Sequence, residues 1–134
     1  YRSWRKILEE YPHQRIAVAE AWTPNADRTA LYVRPDELHQ AFNFHYLTAE
    51  WNAADLKQVI DDSLAAMRPV AAPTTWVLSN HDVTRHVTRY GRRLTTFSFD
   101  NNLDGSPVDL ELGTRRARAA GVVQVVVSLD LSDQ

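Results

Sequence analysis

The chain has 134 residues, 44% of them hydrophobic, with 15 Lys and Arg against 17 Asp and Glu for a formal charge of -2. That composition supports the core of one ordinary domain and gives no reason to expect disorder. The interspersed charges leave no electrostatic case for nucleic acid or an anionic membrane as a partner. Without cysteine there is no disulfide framework, thiol nucleophile or thiolate metal site, which fits a reducing compartment and makes the cytoplasm the expected location.

The N-terminal stretch YRSWRKILEEYP is charged and amphipathic rather than a basic tip before an apolar core, so it does not read as a secretory signal. No run approaches membrane-spanning length. The chain begins without Met, as if cut from something longer. Trp4, Ile7, Leu8 and Tyr11 fall on one helical face, and Pro12 closes that first helix. Residues 15–22 are apolar on both sides and are expected to form a strand buried between two layers, ending at Pro24, Asn25 and Asp27. Residues 38–47, LHQAFNFHYL, suit a second strand and the loop after it.

From Asn52, an expected N-cap, Leu56, Val59, Ile60, Leu64 and Met67 keep helical spacing until Pro69 and Pro73 stop the helix. A third strand is expected from Thr74 or Thr75 to Leu78, followed by the polar stop Ser79, Asn80, His81 and Asp82. Alternating strand, helix and strand is the pattern of an α/β fold with a parallel sheet. Residues 91–113 are turn-rich and read as a long loop. A short helix over 114–120 follows, in which Arg115, Arg116 and Arg118 read as a solvated face, and residues 122–131 are expected to form a fourth strand.

Two of the strands end in carboxylates. Glu20 follows small apolar residues and precedes Trp22, so an aromatic wall with little water is expected to raise its pKa toward that of a general acid. A strand-end glutamate paired with arginine or open to solvent fits the same pattern. Asn80, His81 and Asp82, with Arg85 and His86 behind them, suit a polar site that binds hydroxyls and stabilises a developing cation. They equally suit a turn or helix cap. A triad of Ser79, His81 and Asp82 is disfavoured, because strand neighbours point to opposite faces and no nucleophile elbow accompanies them. The histidine spacings, four residues between His81 and His86 and five between His39 and His45, match no recognised metal site, and neither metal nor cofactor is expected.

AEAW at 19–22, AFNFHYL at 41–47 and SNHDVTRHVTRYG at 79–91 together resemble the α-amylase superfamily, glycoside hydrolase family 13, most closely its α-glucosidases and other oligosaccharide-acting members. The resemblance runs from residue 1 to about residue 120. It implies a partial (β/α)8 TIM barrel covering roughly strands 5 to 8, with residues 1–120 as barrel and 121–134 as a divergent tail that includes a last strand. A complete eight-unit barrel takes about 250 residues. The resemblance further implies that Glu20 is the general acid and base, that Asp82 stabilises the transition state, that His81 and Arg85 bind the sugar, and that the loop near 91–112 lies by the substrate entrance. The implied substrate is an α-linked gluco-oligosaccharide or disaccharide.

The family's nucleophilic aspartate belongs to a Gly-x-Arg-x-Asp motif on an earlier strand, and Gly113, Thr114 and Arg115 copy its start only by accident, with Ala117 where the carboxylate belongs. The expectation is therefore a chain inactive by itself that self-associates or meets a complementing chain. Transfer or isomerase chemistry on the same scaffold, and a non-catalytic remnant, remain alternatives.

Overall fold

In the computed structural model, residues 1–100 and 105–129 are described. The elements run α1 (Arg2–Glu9), β1 (Val18–Ala19), α2 (Ala26–Ala30), β2 (Gln40–Asn43), α3 (Phe44–Thr48), α4 (Ala53–Met67), β3 (Thr75–Trp76), α5 (His86–Tyr90) and α6 (Leu110–Leu129), with short 3-10 turns at Leu31–Val33 and Arg68–Val70. The three strands form one sheet in the order β1-β2-β3, and β1 runs parallel to β2 with Val18 opposite Gln40 and Ala19 opposite Ala41. The chain divides into two compact units, residues 1–44 with 61–75 and residues 45–60 with 76–134.

The first unit is built on small residues. Ala19, Ala30, Val33, Leu38, Ala41, Ala66 and Met67 form its buried core. Small side chains at Ala19 and Ala41, directly opposite one another, let helix and sheet layers approach closely while removing apolar area from water. Asn25 caps α2, its Oδ1 accepting from the Arg28 amide at 2.9 Å, the usual remedy for an orphan helix N–H. Asn43, at the end of β2, donates from Nδ2 to Ser63 Oγ on α4 at 2.8 Å, both residues being buried. Glu37 is buried too, and Arg34 and Arg2 lie 3.0 and 3.5 Å from its Oε1. A buried carboxylate persists because cations surround it.

In the second unit, Tyr90, Ala117 and Ala120 form a buried cluster joined by Trp51, Leu78 and Val87. The packing of α5 on α6 is set by two glycines. A Cβ on Gly113 would stand 2.1 Å from the Val87 carbonyl oxygen and 2.9 Å from the Gly91 amide nitrogen, and one on Gly91 would stand 2.4 Å from the Asp109 oxygen. The backbones meet where no side chain fits.

Several expectations are corrected. The first strand covers Val18–Ala19 alone and is buried on one face only, since Ala19 is buried while Val18 is 38% exposed, and Ile16 before it is 58% exposed. Helix α1 forms as its spacing predicts, yet Trp4 and Ile7 are more than half exposed and nothing in it is buried. The second strand gives way to helix α3 at Phe44 instead of a loop, and β3 ends at Trp76 rather than Leu78. The fourth strand is not formed where the chain is described: residues 122–129 continue α6, and residues 130–134, the rest of that expectation, lie outside the described residues. Asp109 explains the start of α6, its Oδ1 accepting from the Leu112 amide and its carbonyl from the Gly113 amide, both at 2.9 Å. Once such a turn is nucleated, extension adds a hydrogen bond per residue. The 91–113 loop is irregular up to α6, with residues 101–104 outside the described residues.

Candidate active site

Glu20 belongs to the first unit and directly follows Ala19, the last residue of β1. The aromatic wall exists two residues on, where the Trp22 ring lies 4.3 Å from that of Phe44 at an interplanar angle of 32°. The restricted water does not: Glu20 is exposed and Trp22 is 45% exposed. In this structure the expected dry setting of Glu20 is replaced by an open one, because β1 is too short to carry an enclosing face beyond Ala19.

His81, Asp82 and Arg85 belong to the second unit and sit together on the turn between β3 and α5. The Asp82 amide donates to Asn80 Oδ1 at 3.0 Å, an Asx turn. Arg85 donates from one terminal nitrogen to the Asn80 carbonyl at 2.7 Å. His81 Nε2 lies 3.4 Å from Asp82 Oδ1, and both side chains are largely exposed. Asn80 therefore builds the turn, while His81 and Asp82 are displayed on it. Ser79 points elsewhere, its Oγ lying 2.9 Å from His86 Nδ1, so no relay of Ser79, His81 and Asp82 forms.

The residue that sequence reading missed is Arg89. It is 2% exposed, and its guanidinium donates to the carbonyls of Thr95 at 2.6 Å, Ala49 at 3.2 Å and Leu78 at 3.4 Å. Burial lowers its pKa, against the opposing influence of Tyr90. Burial, with Arg89 and Arg85 nearby, also holds the His86 imidazole below its usual value. The available signal was spacing: Arg85, His86 and Arg89 fall at i, i+1 and i+4 behind a polar strand exit, so one helical turn brings two of them to the same side. Arg116 departs from the expected solvated face too, donating to the Tyr90 carbonyl at 2.9 Å, whereas Arg115 and Arg118 are exposed.

Among the described residues, concavities within the second unit include one large and one smaller. The larger, about 480 Å³, is apolar and lined by Trp51, Asn52, Ala53, Leu56, Lys57, Ile60 and Val123; the smaller, about 290 Å³, lies against His45, Glu50 and Asp55. Neither is lined by His81, Asp82 or Arg85. The chemistry-bearing turn is thus separate from both.

Residues 1–102 match the family described as alpha amylase, catalytic domain. An alpha-glucosidase of Apis mellifera is 33% identical over 104 residues, covering 72% of this chain and 18% of that protein. A salivary alpha-glucosidase of Anopheles gambiae is 32% identical over 97 residues, covering 66% of this chain and 16% of that protein. The chain spans less than a fifth of the length of these relatives. With the three strands, helices α1 to α5 and the Asn-His-Asp turn inside the matched stretch, this mixed α/β chain with a three-stranded sheet belongs to the alpha-amylase catalytic-domain family.

Proposed function

We propose that this chain is the part of a retaining α-glucosidase-like hydrolase that carries the general acid and base, Glu20, and the transition-state stabiliser, Asp82. The substrate is an α-linked gluco-oligosaccharide or disaccharide. The observation that carries the reading is positional: Glu20 is the first residue after β1, and Asp82 follows β3 after residues 77–81. Carboxylates just beyond the C-terminal ends of strands are where barrel enzymes keep their chemistry. In this reading β1, β2 and β3 are strands 5, 6 and 7 of the barrel. The similarity to two alpha-glucosidases supports the choice of substrate.

Retaining hydrolysis needs an acid and a nucleophile with carboxyl groups about 5 Å apart. Glu20 protonates the glycosidic oxygen as the bond to the anomeric carbon breaks, and then takes the proton of the attacking water. Asp82 sets negative charge beside the oxocarbenium-like centre. His81 donates to a sugar hydroxyl, and Arg85 contributes beyond its bond to Asn80. The nucleophile comes from outside these 134 residues, so the chain by itself does not turn over. The exposure of Val18 on the short first strand, and of Ile16 just before it, supports an incomplete barrel.

The test replaces the matching segment of the Apis mellifera alpha-glucosidase with residues 1–102 of this chain and follows glucose release from maltose. Turnover is expected, and Glu20→Gln should lower it by about 10²–10⁴-fold, the usual contribution of a positioned general acid or base. The loss should be smaller on an aryl glucoside, whose leaving group needs less protonation. Equal losses on both substrates, or none on either, would refute the assignment of Glu20.

A further inference from the structure

Three side chains from α5 and its N-cap, Arg85, His86 and Arg89, hold residues 78–80, which lead into the His-Asp turn. The Leu78 carbonyl accepts from Arg89 at 3.4 Å, Ser79 Oγ lies 2.9 Å from His86 Nδ1, and the Asn80 carbonyl accepts from Arg85 at 2.7 Å. The anchors run in opposite order along the two stretches, as in a hairpin. Arg89 ties the same point to Thr95 and Ala49 through its other terminal nitrogen, at 2.6 and 3.2 Å. The anchors end one residue short of His81, and the bond from the Asp82 amide to Asn80 Oδ1 sets the next step.

We infer that His86 and Arg89 are positioning residues: through Ser79 and Leu78 they fix the main chain from which His81 and Asp82 project. The inference rests on the sugar-site reading of His81 and Asp82. The physical need is plain: both side chains are exposed, so their aim depends on the main chain that carries them. A displacement of about 1 Å at such a group costs about 10²-fold in rate, so a stabilising carboxylate requires a supporting shell. His86 is half-buried and Arg89 fully buried, which places the rigid part of the device under the turn and its polar ends at the surface.

Amide hydrogen exchange in the 134-residue chain tests the anchoring, and maltose hydrolysis by the chimaeric enzyme tests its purpose. His86→Ala and Ser79→Ala should each speed exchange at residues 79–82 by about tenfold or more, leaving the amides around Ala117 and Ala120 unchanged. His86→Asn, whose side-chain amide can occupy the place of Nδ1, should return exchange to near the original rate. In the chimaera, His86→Ala should lower kcat by about 10²-fold with little change in KM, and His86→Asn should recover most of it. If His86→Ala loosens the whole chain, Ser79→Ala, which removes one oxygen, still decides the matter. Unchanged exchange at 79–82 in Ser79→Ala overturns the anchoring. Faster exchange there together with unaltered kcat overturns the positioning role, and an unsubstituted chimaera without turnover overturns the sugar-site reading on which that role depends.

Discussion

Arg89 is a cation almost without water, and main-chain carbonyls replace its lost hydration. Two of those bonds, to Thr95 and Ala49, are buried. Because a buried acceptor left without a donor costs about 1–3 kcal/mol, Arg89→Met should destabilise the chain by roughly 2–4 kcal/mol, measured by urea unfolding. Lysine should recover only part, since a point ammonium cannot reach three carbonyls with the span of a guanidinium. His86 gives the complementary case. Its pKa is held below the usual imidazole value by burial, Arg89 and Arg85, so the folded state disfavours its charged form. The stability it contributes is therefore present above the unfolded value of about 6.5 and is lost as pH falls through the lowered folded value. His39 acts in the same direction, with burial and Arg5 lowering its pKa while Nδ1 accepts from the Ala17 amide at 3.2 Å. Urea midpoints should fall as the solution is made more acid than that value, and His86→Asn should flatten the slope.

At the scale of elements, the contact of α5 with α6 is decided by the absence of a side chain. Gly113 and Gly121 lie in the same helix, yet a Cβ on the first meets Val87 and Gly91 backbone while one on the second meets nothing within 4 Å. Gly113→Ala should cost about 1–3 kcal/mol through overpacking. Gly121→Ala should add about 0.5–1 kcal/mol, because it removes only the conformational cost of a helical glycine. Chemical denaturation of the two variants side by side checks both signs. Legibility follows the same division. Helix α4 was readable because Asn52 caps it, with Oδ1 accepting from the Asp55 amide at 2.8 Å, and because Pro69 follows it. Residues 122–129 were not, since a valine-rich run carries the β-branched signal of a strand. The run stays helical because Asp109 starts the helix, Ala117 and Ala120 bury its first turns, and the Gln124 side-chain amide donates to the Trp76 carbonyl at 2.9 Å.

For the whole molecule, the balance of exposed apolar area is the dominant feature. Val122, Val125 and Val126 on α6 are 64%, 58% and 59% exposed, beside Ile16 and Trp4 at 58% and 59% elsewhere in the chain. Apolar area of this kind drives association. Sedimentation of the isolated chain should therefore show concentration-dependent self-association, and Val122→Lys with Val126→Glu, one helical turn apart, should shift it toward monomer. Alkali provides a second whole-molecule readout. Burial pushes the Tyr46 phenol up to about 12, and burial also raises Tyr90. Both phenols are kept neutral by folding, so their contribution is intact below the unfolded value of about 10 and is lost as pH rises through the raised folded values. Stability should fall across that interval, and Tyr46→Phe, which keeps the ring against Trp76 at 5.2 Å, should lessen the fall.

The alternation of β1, β2, α4 and β3, the capped helix α4 and the family were legible in the sequence alone, because caps, proline stops and the AEAW and SNHD motifs are local signals that need no knowledge of what lies across the fold. The placement of Glu20 and Asp82 after strands was legible on the same ground. Only the tertiary structure decided that Glu20 stands in the open, that Asn80 is the builder of the turn, and that Arg89 lies buried beneath it. Exposure is set by which distant residues arrive, and the carbonyls of Ala49, Leu78 and Thr95 reach one guanidinium from three separate stretches of chain. No spacing rule along the sequence encodes such a meeting. The helical fate of the valine run was decided in the same way, by the Asp109 cap and the packing of Ala117 and Ala120 earlier in α6 rather than by the preference of its residues.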